Sequence, residues 1–556
     1  MFNLIEAKKL FKALWREYNR SWRSYHKELS EYILSDRGRF MSLTSRPNYG
    51  DKRNQNILDD IATKETRITA AGLQGGLTSP ARPWVKLTLR DKDLAEKHNV
   101  REWLDQATRR LLSILALSNF YGSIHTIYQE LVVFGTASMW EEEYFKTVVK
   151  FYPFTAGEYV LGMNEYREID TFGRLFWLRN RDVVGMFGKD KVSARRLVQM
   201  KSQPYDWAKI AQLVVPNPDY IPGEMVPENQ KYLSIYWDDA FGENFLREEY
   251  MKLFPLLAPR WDITSSDVYG RGPGMMILPD VKMLQRMQDK YLKALYKFVD
   301  PPLRASPSLK KEKKTQVAGG ITYVDPVAGK GGFEPLYSID VNIFNVLSTD
   351  IEKVHAGIRT GLFNDLFLML AGLDEHQMSA TEVRERHEEK LLILGPVIER
   401  LQTELLDPIV LNTLSIMKDY NLLPEIPDEL RDEEIVIEYI SLLAQAQKLV
   451  GTTAVEQTVR FVGEVAQLKP EVLDKLNADK VVEHYADLTG FPAQGLNSDD
   501  EAEQIRAQRA KAEAAQQAAE QANAMTQGAK TLSDTQMDKN SALDALLGGM
   551  GGGGTG

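Results

Sequence analysis

The chain contains no cysteine. That excludes disulfides, thiolate zinc centres and cysteine nucleophiles, and it is compatible with a reducing compartment. Histidine is scarce too. The seven residues His26, His98, His125, His355, His376, His387 and His484 are scattered, and none has a partner at ligand spacing. His387 opens "HEEKL", but Leu391 stands where the H-E-x-x-H zinc helix needs its second histidine, so a charged helix face is the reading there. Long apolar runs are missing as well. The longest span free of Asp, Glu, Lys and Arg is Leu111–Gln129, and its serines, Asn119, Gly122, His125 and Thr126 suit a buried helix broken near Gly122 rather than a membrane span. The N-terminal "MFNLIEAKKLFKALWREYNRSW" is charged throughout and lacks the apolar region of a signal peptide. A soluble protein with no membrane partner is expected.

Positive charge is not in excess. Against 68 Lys and Arg stand 78 Asp and Glu, a net charge of −10, which argues against a protein that clamps nucleic acid over its whole surface. It leaves room for a local basic patch, or for a tube through which DNA slides without sticking. Motifs for chemistry are absent. "GRGPG" (Gly270–Gly274) has the wrong spacing for a dinucleotide fingerprint, and "AGKGGF" lacks the Ser or Thr and the upstream glycine of a phosphate loop. No G-x-S-x-G elbow occurs. The neighbouring carboxylates Asp59–Asp60 and Asp238–Asp239 diverge and read as plain surface. No catalytic residue, cofactor or metal is expected.

What is present is architecture. Leu10, Leu14, Tyr18, Trp22, Tyr25, Leu29 and Ile33 recur at helical spacing, and Ile57–Leu73 resumes a helix after the loop "SRPNYGDKRNQN". "GLQGGLTSPARPW" is a tight corner into an extended "VKLTL". From Val132 to Trp261 short β-rich runs such as "TVVKFYPF" and "YLSIYWD" alternate with turns. After Pro279 a helix carries Val281, Leu284, Met287, Tyr291, Leu295 and Phe298, and a second spans Val341–Phe363. Between them lies a Gly-, Pro- and Lys-rich module, so the pair describes a stalk with a knob at its end. The lysines Lys310, Lys311, Lys313 and Lys314 in that module read either as a solvated loop or as an edge that meets DNA or an acidic partner. The stretch "MSATEVRERHEEKLLILGPVIERL" starts at Ser379 or Thr381 as a capped, highly charged helix, and Gly395–Pro396 should kink it. Helical segments are expected at Glu434–Val450, Val455–Val465 and Pro470–Leu476. An alanine- and glutamine-rich exposed helix is expected beyond Ser498, and a flexible "GGMGGGGTG" at the end.

Several stretches together closely resemble the portal (head-to-tail connector) proteins of short-tailed, T7-like phages. They are "YILSDRGRF" (32–40), "GLQGGLTSPARPW" (72–84), "NFYGSIHTIYQELVVFGTA" (119–137), "GRGPGMMILPDVKML" (270–284), "VDPPL" (299–303), "DLFLML" (365–370), "ATEVRERHEEKLLILGPVIERL" (380–401) and "IEYISLLAQAQK" (437–448). They occur in the family's order over roughly residues 1–510. Ser35 stands where the family usually has proline, and the tail after Met525 carries no resemblance.

The resemblance implies an α+β, mostly α-helical portal fold of wing, stem, clip and crown, closed into a ring of about twelve copies around a channel. N-terminal helices and the β-containing wing would take 1–278. The stem helices would be 279–299 and 340–364, on either side of the clip at 300–339. A channel-loop region (365–379) with Leu370, Asp374, Glu375, His376, Gln377 and Met378 would precede a wing helix (380–424) kinked at Gly395 and Pro396. The crown (425–500), a barrel helix (501–530) and a flexible tail (531–556) would follow. Glu382, Arg384, Arg386 and Glu388 would pair between neighbouring subunits, and the four clip lysines would contact partners or DNA. The implied role is genome packaging and ejection at one capsid vertex of the virion, after assembly in the host bacterial cytoplasm. The implied partners are double-stranded DNA, the terminase large subunit, major capsid and scaffolding proteins, tail adaptor and internal core proteins. Another ring-forming adaptor or assembly protein is the alternative, and an enzyme would need a constellation the sequence does not show.

Overall fold

The computed structural model describes residues 2–41, 50, 53–224, 226–304, 334–335, 340–370, 393–430 and 433–441, then 452–466 and shorter stretches between 469 and 523. Two compact units divide the chain, Met1–Val450 and Gly451–Gly556.

The first unit opens with helices α1 (Leu4–Arg20) and α2 (Trp22–Tyr32). A capping box starts α1: the Glu6 N–H donates to Asn3 Oδ1 (2.9 Å), and the Asn3 N–H donates to Glu6 Oε2 (3.2 Å). Helix α3 runs Ile61–Leu77, past the glycines expected to form a corner. Gly72 is inside it, and the position admits only glycine because a Cβ there would meet the Phe367 side chain at 2.3 Å. The corner proper is 78–84, and it feeds strand β1 (Val85–Leu89), which is the extended "VKLTL".

Helices α4 (Lys92–Glu96), α5 (His98–Leu117) and α6 (Phe120–Phe134) follow. The break in the uncharged span falls at Ser118–Asn119, and Gly122 lies within α6. Asn119 explains the shift. Its side-chain amide acts as a strand surrogate, donating to the Phe151 carbonyl (2.6 Å) and accepting from the Phe151 N–H (2.9 Å), a pairing a continuous helix could not offer.

The β-rich middle is antiparallel throughout. Strands β2 (Ser138–Tyr144), β3 (Val148–Phe154) and β9 (Leu256–Leu257) make one small sheet in the order β3-β2-β9. A five-stranded meander contains β4 (Tyr159–Met163), β5 (Ile169–Arg179), β6 (Trp207–Pro216), β7 (Tyr232–Asp238) and β8 (Arg247–Met251) in sequence order. Side chains alternate along β6. Ala211, Leu213 and Val215 pack under Ala7 and Phe11 of α1, while Ala208 and Ile210 face α7 (Asn180–Phe187). Helix α8 (Ala194–Ser202) places Arg196 against Asp238 at 2.7 and 2.9 Å, with both side chains buried. Asp238 is therefore an internal ion-pair partner and not plain surface.

Two long helices, α9 (Pro273–Val299) and α10 (Asn342–Gly361), flank a two-residue strand pair, β10 (Leu303–Arg304) with β11 (Glu334–Pro335). Helix α11 (Asn364–Leu370) comes next. Residues 393–401 are helical, and the helix continues through a π turn, Gln402–Leu406, into α12 (Asp407–Asp419). Strand β12 (Ile435–Tyr439) then pairs with β1, Val85 opposite Tyr439. A helix was expected from Glu434. The alternating, β-branched "IVIEY" instead takes the free edge of β1, so tertiary pairing decides the matter. In the second unit the described residues are helical at α13 (Thr452–Ala466) and at 504–512.

Candidate functional site: a two-helix arm and its anchor

Helix α9 has 27 residues, about 40 Å, and α10 has 20, about 30 Å. Burial is confined to their inner ends. In α9 it stops at Gln285, and in α10 only Ile351 and Ile358 are buried. Beyond that point the two helices hold each other through rings: Phe344 meets Tyr291 at 5.8 Å and Phe298 at 5.4 Å, both edge-on. Several of the other outer apolar side chains are largely exposed. Tyr296 is 70% exposed, Val299 75% and Val346 61%.

The base of the arm is tied down by polar groups that the sequence did not advertise. The Gln285 side chain accepts from the Leu58 and Asp59 N–H groups (2.7 and 2.9 Å) and donates to the Asp59 carbonyl (2.8 Å). Asp59 Oδ2 takes hydrogen bonds from Gln288 (2.9 Å) and His355 (2.9 Å), which joins α9 to α10. Burial pushes the Asp59 carboxyl up, yet the bonds from Gln288, the Ile61 N–H and His355 outweigh it and hold the group below its ordinary range. Asp59 was read as plain surface, and it is the clasp of the arm. One step further, Arg359 Nε donates to Glu65 Oε1 (3.0 Å), Asn364 Nδ2 donates to Glu65 Oε2, and Thr69 donates to Asn364 Oδ1 (2.6 Å). No signal in the sequence connects Asp59 or Glu65 with residues almost three hundred positions away.

The glycine-rich "GRGPG" before α9 turns out to be a packing device. A Cβ on Gly270 would sit 2.5 Å from the Gly135 carbonyl oxygen, one on Gly272 2.8 Å from that of Leu131, and one on Gly274 2.7 Å from that of Val133. Gly135 ends α6 in the left-handed region (φ 71°). Here the Gly270 N–H donates to Thr136 Oγ1 (2.7 Å) and the Trp261 N–H to the Gly135 carbonyl (2.9 Å). Pro273 fits the first turn of α9, which begins ahead of the expected Pro279. Pro279 lies within the helix and gives no N–H to the Met275 carbonyl. The Tyr25 hydroxyl donates to that oxygen instead (3.2 Å).

The same junction grips the helix at 393–419. Arg260, almost wholly buried, binds Glu404 through its N–H (2.9 Å) and its guanidinium (2.6 Å), and also donates to the Arg167 carbonyl (3.0 Å). Arg400 donates to the Trp261 carbonyl (2.9 Å). Glu404 belongs to the π turn. Pro408 has no N–H for the Glu404 carbonyl and its ring crowds that oxygen, so the turn widens and the Asp407 N–H bonds back to Gln402. Gly395 and Pro396 lie within the helical residues 393–401.

Of the residues singled out in the sequence, Leu370 ends α11. Lys310, Lys311, Lys313, Lys314, Asp374, Glu375, His376, Gln377, Met378, Glu382, Arg384, Arg386 and Glu388 lie outside the described residues. Among the described residues no group of His, Asp and Glu could hold a metal, and no helix is long and apolar enough to cross a membrane.

The family model described as "Bacteriophage head to tail connecting protein" matches residues 5–496. The chain belongs to that family. This connector protein is 38% identical over 546 residues to the portal protein of Salmonella phage epsilon15, covering 97% of this chain and 98% of the relative. It is also 38% identical over 544 residues to a "Probable portal protein" of Bordetella phage BPP-1, covering 96% and 97%. The arm, the junction and the meander of the connector all fall inside the matched span.

Proposed function

We propose that this connector is the portal protein of a short-tailed phage, a structural component of the virion at one capsid vertex and not an enzyme. What carries the reading is the near full-length similarity to two portal proteins, joined to an arm whose outer apolar face is uncovered in one copy. Copies closing into a ring of about twelve would bury that face, each presenting one surface to a different surface of its neighbour. In that ring α9 and α10 are the stem, the module 300–339 is the clip, and 365–379 with Asp374–Met378 faces the channel. The helix from 380 with Gly395 and Pro396 is the wing helix, 425–500 the crown and 501–530 a barrel. Glu382, Arg384, Arg386 and Glu388 pair between subunits. Genomic DNA passes through the channel during packaging and ejection. The terminase large subunit and then the tail adaptor dock at the clip lysines, and capsid, scaffolding and internal core proteins meet the remaining surface. A net charge of −10 suits a passage that must not hold phosphate.

Native mass spectrometry with electron-microscope top views tests the ring. Twelve copies of a 63.2 kDa chain give about 760 kDa with an open centre. Val346→Asp should lower the yield of rings and leave the monomer folded. A compact dimer or tetramer without a hole would overturn the proposal.

A further inference from the structure

A cleft of about 820 Å³ lies between α1 and the five-stranded sheet. Its rim is cationic: Lys8, Lys12, Arg16 and Arg20 along α1, then Arg23 and Lys209. Three of these cations are committed. Lys8 donates to the Gly242 carbonyl (2.7 Å), Arg23 to Asn19 (3.1 Å), and Lys209 lies 4.0 Å from Asp239. Lys12, Arg16 and Arg20 are exposed and have no hydrogen bond or ion pair among the described residues. Steps of four residues put them on one helix face about 6 Å apart. They form a free positive stripe on a chain that is acidic overall. Beneath the stripe the cleft is floored by the half-buried Trp15 and Leu175, with Phe11 and Trp237 buried behind them.

We propose that this cleft receives an acidic segment of a partner polypeptide, its carboxylates on Lys12, Arg16 and Arg20 and one apolar side chain entering toward the floor. A polypeptide fits better than a nucleic acid for three reasons. Glu158 and Asp239 also line the cleft, where they can accept the backbone N–H groups of a peptide, donors that a phosphodiester backbone does not carry. Phe11 and Trp237 are only 6% and 2% exposed, so they offer no free ring face on which bases could stack. A duplex, moreover, is too broad to enter a space of this volume and would leave the floor unused. Arginine in the stripe suits forked pairing with carboxylates.

The test is fluorescence anisotropy on the full chain at about 0.15 M ionic strength. The probes are a labelled glutamate-rich peptide with one central phenylalanine, the same peptide with alanine there, and single- and double-stranded oligonucleotides of equal formal charge. The phenylalanine peptide should bind at least tenfold more tightly than the alanine peptide or either DNA. Lys12→Glu, Arg16→Glu and Arg20→Glu together should abolish that binding. If the reversed variant fails to fold, Lys12→Gln, Arg16→Gln and Arg20→Gln should weaken it at least tenfold. DNA binding more tightly than the peptide and lost in the same variants would assign the cleft to nucleic acid. Self-association lost in them would assign it to a second copy. Peptide binding that ignores the variants, or no peptide binding at all, would also overturn the proposal.

Discussion

A Cβ at Gly272 would lie 2.8 Å from the Leu131 carbonyl oxygen and 2.9 Å from the Gly135 Cα. Both are backbone and cannot swing aside, so a methyl group there must push α6 and α9 apart. Gly272→Ala should therefore lower stability by about 1–3 kcal/mol, read as a drop in the chemical denaturation midpoint of the full chain. Two buried glutamates give the protein a pH dependence. Burial raises Glu141 to about 8, against the hydrogen bonds from Thr413 and Asn412, and raises Glu130 to about 7, against Arg37, Thr155 and the Ala156 N–H. Folding thus takes up protons that the unfolded chain, with carboxyls near 4.5, has already released. This contribution to stability is fully present below about pH 4.5 and is lost as pH rises through about 7 and 8. Unfolding midpoints measured from pH 5 to 9 should fall across that window, and Glu141→Gln should flatten the upper part. A flat profile across that window would show that both carboxylates are charged in the fold. The sequence shows Glu141 as the first of three consecutive glutamates, and only its packing against Thr413 sets it apart from the exposed Glu142 and Glu143.

At the scale of elements, the π turn and its ion pair are the joint between the helix at 393–419 and the β-rich middle. Arg260→Met leaves Glu404 without its partner in a mostly dry place. The expected cost is about 2–4 kcal/mol, below that of a fully buried pair because Glu404 keeps some contact with water. Adding Glu404→Leu should recover much of the loss, and a double-mutant cycle in denaturant measures the coupling. If the single and double variants unfold alike, the pair does not hold the joint. Helices with a full apolar stripe were legible from spacing alone: α10 lies within two residues of the expected Val341–Phe363, and α9 covers the Val281–Phe298 stripe. The segment 435–439 was not. Its local pattern serves a helix end or a strand equally, and the free edge of β1, some 350 residues earlier, makes the choice. The start of α9 was missed for a related reason. Gly270–Gly274 looks like a loop until α6 is placed against it.

For the whole molecule, the proposed docking role depends on the charge of the lysine-rich stretch in the sequence between α9 and α10. Reversing Lys310, Lys311, Lys313 and Lys314 to glutamate should leave the ring mass unchanged and weaken docking of the packaging motor and the tail adaptor, with a smaller salt dependence in what binding remains. Unchanged docking in pull-down and sedimentation assays would remove these lysines from the interface. The sequence by itself determined that the chain carries no thiol chemistry, that a helix–module–helix arm interrupts it, and that its ordered stretches resemble one connector family. Those properties depend on composition, on local periodicity and on inherited residue order, all of which a linear string retains. The tertiary structure decided what the polar and small residues are for. Asp59 clasps the arm, Asp238 neutralises Arg196, Gly135 and Gly272 let two backbones touch, and three cations of α1 are left free above an aromatic floor. Each of these roles depends on a neighbour far away in sequence. Burial and pairing, rather than residue type, give such side chains their function.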